Sequence, residues 1–147
     1  MLAIVVLISG GLVILTVAIH LVLVRGLSHM VRSMQRFPIL AMGTSMSAAI
    51  AGHLLEIWLF ALALRRMAES GQFGSLTGDV QGSLSDYFYF SALAYTSLGF
   101  GDIAPQGTLR TLAAIEAITG LVLIAWTASF AFLAMQELWG RKLPRND

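Results

Sequence analysis

The chain has 147 residues, of which 57% are hydrophobic and only 12% charged, with a mean hydropathy of +0.80. A soluble domain carries roughly 25% charged residues, so a water-covered globule is excluded and the first question is where a bilayer sits. The net charge of +1 points to no nucleic-acid partner, and the absence of cysteine excludes disulfides and thiolate metal sites.

Residues 2–24 contain no Asp, Glu, Lys or Arg. A membrane span needs about 20 apolar residues, so this stretch suffices. It lacks a positive leader before the apolar run, and its first cation, Arg25, follows the run. It therefore reads as a retained helix with its N-terminus outside, not as a signal peptide. Residues 25–36 hold Arg25, His29, Arg32 and Arg36 without an acid, and are expected to form a short cytoplasmic loop. Pro38 suits the first turn of a second helix. That span is expected from Ile39 to Leu64, rich in Gly, Ala and Ser for close packing in lipid. Residues 67–82, with four glycines, read as a loose surface loop. Ser83 to Thr96 is apolar and aromatic but too short to cross, which predicts a re-entrant helix. Ser83 and Asp86 have the spacing of a capping box. A last span is expected from Thr108 to Leu138, followed by Trp139 and by Arg141, Lys142 and Arg145 as an interfacial and cytoplasmic anchor.

The function is carried by Thr96-Ser97-Leu98-Gly99-Phe100-Gly101-Asp102. A loop at membrane depth survives only when buried in protein or lining a water-filled path. Glycines at alternating positions allow backbone conformations closed to other residues, so that successive carbonyls face one axis. A ring of such carbonyls replaces the hydration shell of a cation. The short helix before the loop ends at membrane depth, where its partial negative charge favours a cation. One chain supplies one wall of such a pore.

This segment resembles the filter of the potassium channel pore-domain family, usually Thr-Thr-Val-Gly-Tyr-Gly-Asp. Thr96 and Ser97 stand at the threonines, Leu98 at the valine, Gly99 and Gly101 at the glycines, Phe100 at the tyrosine and Asp102 at the aspartate. Pro105, Arg110 and Gly120 continue the likeness downstream, with Gly120 near the family's inner-helix hinge glycine. The resemblance implies a tetrameric pore of four copies, each with a re-entrant pore helix; the family's simplest pattern has two spans per subunit, and the apolar runs here add an N-terminal one, so that an all-α membrane protein with three transmembrane helices is expected. It implies potassium ions at the carbonyls of Ser97, Leu98, Gly99 and Phe100, no other cofactor, no soluble partner and no enzyme activity. On this reading residues 1–25 are an additional helix, 26–38 the basic loop and 39–147 the pore domain. A prokaryotic inner membrane would suit so compact a chain. Two departures stand out. No arginine-repeat voltage sensor is present, and Leu93 occupies a position where some relatives carry a glutamate that braces the filter; Tyr87, Tyr89 or Tyr95 could substitute. Alternatives are a weakly selective cation channel of the same fold and a non-conducting regulatory membrane subunit.

Ionisable residues inside spans are costly and face protein or water. Counting from the expected outer ends of their helices places Glu56 and Glu116 at one level, with His53 a turn deeper than Glu56. A polar cluster of His53, Glu56 and Glu116 is expected behind the filter, structural or regulatory. The His-x-x-Glu spacing also invites a metal reading, weakened by the lack of a second histidine at that depth. His20 is expected to be a packing or snorkelling residue near the cytoplasmic end.

Overall fold

A computed structural model describes residues 1–140, and the expected anchor at Arg141, Lys142 and Arg145 lies outside them. Its elements are α1 (Leu2–Ser33), α2 (Pro38–Glu69), β1 (Leu76–Gly78), α3 (Leu84–Tyr95), β2 (Ile103–Pro105) and α4 (Leu109–Trp139). Three of these helices, α1, α2 and α4, are long and apolar enough to cross a membrane. The chain is thus a multi-pass membrane protein.

The first difference from expectation is at 25–33. The helix does not end at Val24 but runs on through Arg25, His29 and Arg32 to Ser33, so the expected basic loop shrinks to residues 34–37. Charge ends a membrane span without ending a helix. Arg, Leu and Met propagate a helix well, and cations near its C-terminus favour the dipole. Likewise α2 passes Arg65 and Arg66 to Glu69, where Arg65 Nε donates to Glu69 Oε1 at 2.7 Å. Pro38 opens α2 at its N-terminus, where a missing N–H costs nothing. Each of α1 and α2 has 32 residues, about 48 Å at 1.5 Å per residue, against a hydrocarbon core of about 30 Å.

The buried residues of α1 are Val5, Ser9, Thr16, His20, Leu27 and Val31. They repeat every eleven residues, which keeps a single stripe on one face of an undistorted helix. That stripe packs on α2 and α4, while Leu7, Ile14 and Val22 on the other faces are exposed. The short α3 is wedged between α2 and α4. Phe60, Leu64, Phe90, Leu109 and Leu112 form the core at one end of the bundle. Leu27, Val31, Ala49, Phe130 and Leu138 form the core at the other. His20, Glu56, Ser91 and Glu116, all at 0% exposure, belong to neither core. They make up a polar layer within the helical bundle.

The stretch expected to be a loose loop carries one ordered feature. β1 pairs antiparallel with β2, Leu76 opposite Pro105 and Gly78 opposite Ile103. A three-residue strand gives too short a pattern to read from sequence. The pairing ties the loop after α2 to the residues that follow Asp102.

Candidate pore loop and the polar layer behind it

Helix α3 begins as the sequence predicts. Ser83 Oγ accepts from the Asp86 N–H at 3.3 Å, and Asp86 Oδ2 accepts from the N–H groups of Ser83 and Gln81, each at 2.9 Å. The helix ends at Tyr95, and Thr96 turns its hydroxyl back onto the Ala92 carbonyl at 2.7 Å. From there the backbone changes hand at alternate residues: φ is positive at Ser97 (57°), Gly99 (49°) and Gly101 (85°), and at neither Leu98 nor Phe100. Glycine adopts this region freely. A serine there is uncommon and costs on the order of 1–3 kcal/mol, a strain that clusters at functional sites. Ser97 is the one non-glycine residue with positive φ among the described residues.

Every residue from Thr96 to Asp102 is exposed in the single chain. Leu98 is 58% and Phe100 67% exposed, which is unusual for large apolar side chains between two buried elements. At the far end of the segment, the Tyr89 hydroxyl donates to Asp102 Oδ2 at 2.8 Å. Among Tyr87, Tyr89 and Tyr95, then, Tyr89 ties α3 to the end of the loop across the position that Leu93 cannot serve. Tyr87 is buried in an apolar core, and Tyr95 points the other way, into the polar layer.

The layer is built differently from the expected cluster. His53 and Glu56 do meet, with His53 Nδ1 3.2 Å from Glu56 Oε2. Their third partner is His20, whose Nδ1 lies 3.0 Å from Glu56 Oε1. His20 is fully buried midway along α1, packed within the bundle as one of the two expected readings had it, and does not snorkel. The Tyr95 hydroxyl donates to Glu56 Oε2 and lies 2.9 Å from His53 Nδ1. Thr127 Oγ1 of α4 meets the other edge of both rings, 2.9 Å from His53 Nε2 and 3.3 Å from His20 Nε2. Trp126 covers His20 at 5.4 Å between ring centroids. All four helices therefore converge on Glu56 and the two histidines.

Glu116 does not join them. Ser91 bridges it to α2: the Ser91 hydroxyl contacts Glu116 Oε1 and lies 2.8 Å from the Ile57 carbonyl. Its Oε2 has no hydrogen-bond partner among the described residues. Ser91 stands between them: it holds Glu116 against the carbonyl of Ile57, the residue next to Glu56. On α4 it is Thr127, three helical turns from Glu116, about 16 Å, that reaches His53.

Gly120 is a point of contact. A Cβ there would run into the Tyr95 carbonyl and the Tyr95 ring, so α4 passes against the last residue before the loop at a distance only glycine permits. The hydrogen-bonded residues that sequence reasoning passed over are Thr127, Ser91 and the role of His20. One signal was available for His20: Ser9, Thr16 and His20 share one stripe of a helix otherwise apolar, and polar residues so placed face protein.

The short helix α3, the loop that reverses hand at alternate residues after it, and the glycine contact between that loop's root and α4 make up the candidate site. Residues 52–137 match the family described as "Ion channel"; the match covers more than half of the chain, which belongs to this family of two-transmembrane pore domains. No curated protein and no solved structure matches the chain at a significant level. Helix α1 lies wholly outside the matched residues.

Proposed function

We propose that the chain is one subunit of a homotetrameric potassium channel, with Thr96–Asp102 of four copies surrounding the ion path. The observation that carries this reading is the alternation of hand at Ser97, Gly99 and Gly101 in an exposed segment at the C-terminal end of α3. Such an alternation turns successive carbonyls toward one side, and stacked rings of carbonyls are what a dehydrated cation needs. Carbonyls of Ser97, Leu98, Gly99 and Phe100 form the sites, the Ser97 hydroxyl adds a ligand below them, and Asp102, held by Tyr89, sets a negative charge at the mouth. The C-terminal end of α3 adds its partial negative charge beneath the loop. The exposure of Leu98 and Phe100 supports an assembly, because side chains of this size find cover against a neighbouring copy. The N-terminus is outside and the C-terminus cytoplasmic on this reading.

A second reading, a weakly selective cation channel of the same fold, rests on a specific observation: the far end of the loop is tied to α3 by an exposed side-chain contact, Tyr89 to Asp102, in place of a buried acidic brace. Liposome flux of the purified protein under opposed potassium and sodium gradients decides. Flux that follows potassium and vanishes in Gly99→Asp supports the selective pore. Equal flux of both ions replaces it with the weakly selective one. No flux from folded tetramers, in symmetric and asymmetric gradients alike, overturns both in favour of a non-conducting subunit.

A further inference from the structure

The polar layer contains a donor set that conduction does not use. His20 of α1 and His53 and Glu56 of α2 bring their ligand atoms within 4.8 Å of one another. The two Nδ1 atoms flank one carboxylate, at 3.0 Å from Oε1 and 3.2 Å from Oε2. The Tyr95 oxygen lies at the same point, 2.9 Å from His53 Nδ1. These separations are close to those between ligands that share a metal at about 2.0–2.2 Å.

The outer edge of the two rings gives a second reason. Both Nε2 atoms face the single hydroxyl of Thr127, at 2.9 and 3.3 Å. With a metal on the Nδ1 side, each imidazole takes its neutral Nε2–H form. Both rings then donate to the lone pairs of Thr127 Oγ1, and the Glu56 carboxylate ligates. A shared acceptor behind two ligating histidines is the outer support such sites use to fix ring orientation. The layer thus holds both a donor set and the outer support that orients it.

We propose that His20, His53 and Glu56 bind a divalent transition-metal ion of the zinc class, clamping α1 onto the pore domain at the helix turn that leads into the filter. Two imidazoles and one carboxylate suit Zn²⁺, Co²⁺ or Ni²⁺; Mg²⁺ and Ca²⁺ demand oxygen ligands and are excluded. His53, with 16% of its side chain exposed, is the entry side, since His20 and Glu56 are sealed. The ion links the helix outside the family match to the residue before Thr96 through Tyr95, which contacts both His53 and Glu56. Metal occupancy is thereby a property of the fold's added helix, independent of which ion the pore carries.

The test is a Co²⁺ titration of the full chain, purified without an added histidine tag, read by the visible absorption of Co²⁺ in a low-coordinate nitrogen and oxygen site. The expected result is one ion per chain, displaced by Zn²⁺ and not by Mg²⁺. The chain's third histidine, exposed His29, is the control: His29→Asn keeps the band, whereas His20→Asn and His53→Asn lose it. Thr127→Val, which removes the shared acceptor with little change in shape, weakens affinity by about 10–100-fold and keeps the experiment decisive should a histidine variant not fold. Gly99→Asp must still bind the ion, which separates this inference from the conduction reading. No band in the wild-type protein, or a band that survives His20→Asn in folded protein, overturns the proposal.

Discussion

The loop at Thr96–Asp102 and the layer around Glu56 both place polar groups inside a membrane bundle, and they do so in opposite ways. In the loop the polar groups are backbone, the residues are exposed, and the cost is strain at Ser97. In the layer they are side chains, Glu56 and His20 are sealed at 0% exposure, and each is matched by partners from other helices. An exposed polar backbone in lipid is intolerable unless something covers it, so the loop is incomplete in one chain. Glu56 and the two histidines find their partners within one chain. On the proposed function the first serves an assembly, whereas the second joins the helices of one subunit.

That contrast can be broken most forcefully at Glu56. Glu56→Ala strands His20, His53 and Tyr95 in the bundle, and losing one partner of a buried charged network costs about 3–5 kcal/mol. The melting temperature in detergent should fall steeply, and an unchanged one would remove the layer from any structural role. Next in size is Gly120→Ala, whose new methyl meets the Tyr95 carbonyl. Overpacking of this kind costs about 1–3 kcal/mol, visible in the same melt. A full-stability Gly120→Ala chain with altered open probability would instead favour a hinge.

Smaller effects are expected at the N-terminal end of α3. Ser83→Ala removes the cap and costs about 1 kcal/mol. Desolvation works to raise the Asp86 carboxyl there, and hydrogen bonds from Ser83, Gln81 and Gly82 outweigh it, holding the group below its ordinary range. The sign follows: a depressed carboxyl stabilises the fold above its unfolded-state value, and that contribution disappears as pH falls through the lowered one. Asp86→Asn should flatten the acid limb of a stability profile. The smallest change in stability is expected from Tyr89→Phe, an exposed contact, yet it frees Asp102. It should leave the melt within about 0.5 kcal/mol while shifting the reversal potential between potassium and sodium. A large melt shift with unchanged selectivity would erase the distinction between loop and layer.

Much of this molecule could be read along the chain, because the signals are local. Apolar runs longer than a bilayer's thickness located the three long helices. Pro38 marked the start of α2, Ser83 and Asp86 marked the start of α3, and seven consecutive residues at 96–102 marked the loop. Each of these needs only neighbours in sequence. Helix ends were less legible. Arg25 and Arg65 mark where an apolar run ends and not where the hydrogen-bonded helix ends, so α1 and α2 each ran further than expected. The pairing of Leu76–Gly78 with Ile103–Pro105 was invisible for a related reason, since strands of three residues have no period to detect.

Which polar residues meet was decided by tertiary structure alone. His53 and Glu56 are three apart on one helix, and sequence spacing suffices to join them. His20, Tyr95 and Thr127 come from three other helices, and their meeting depends on how far each helix slides along its neighbours. On α4 it is Thr127 that reaches the histidines, whereas Glu116, three turns away on the same helix, meets Ser91 beside Ile57. Apolar helices in lipid carry little in their sequence to set that slide, because lipid and leucine are nearly equivalent surroundings. The axial register is set by the few polar groups and close glycine contacts that must be satisfied together, and those exist only once the helices have packed.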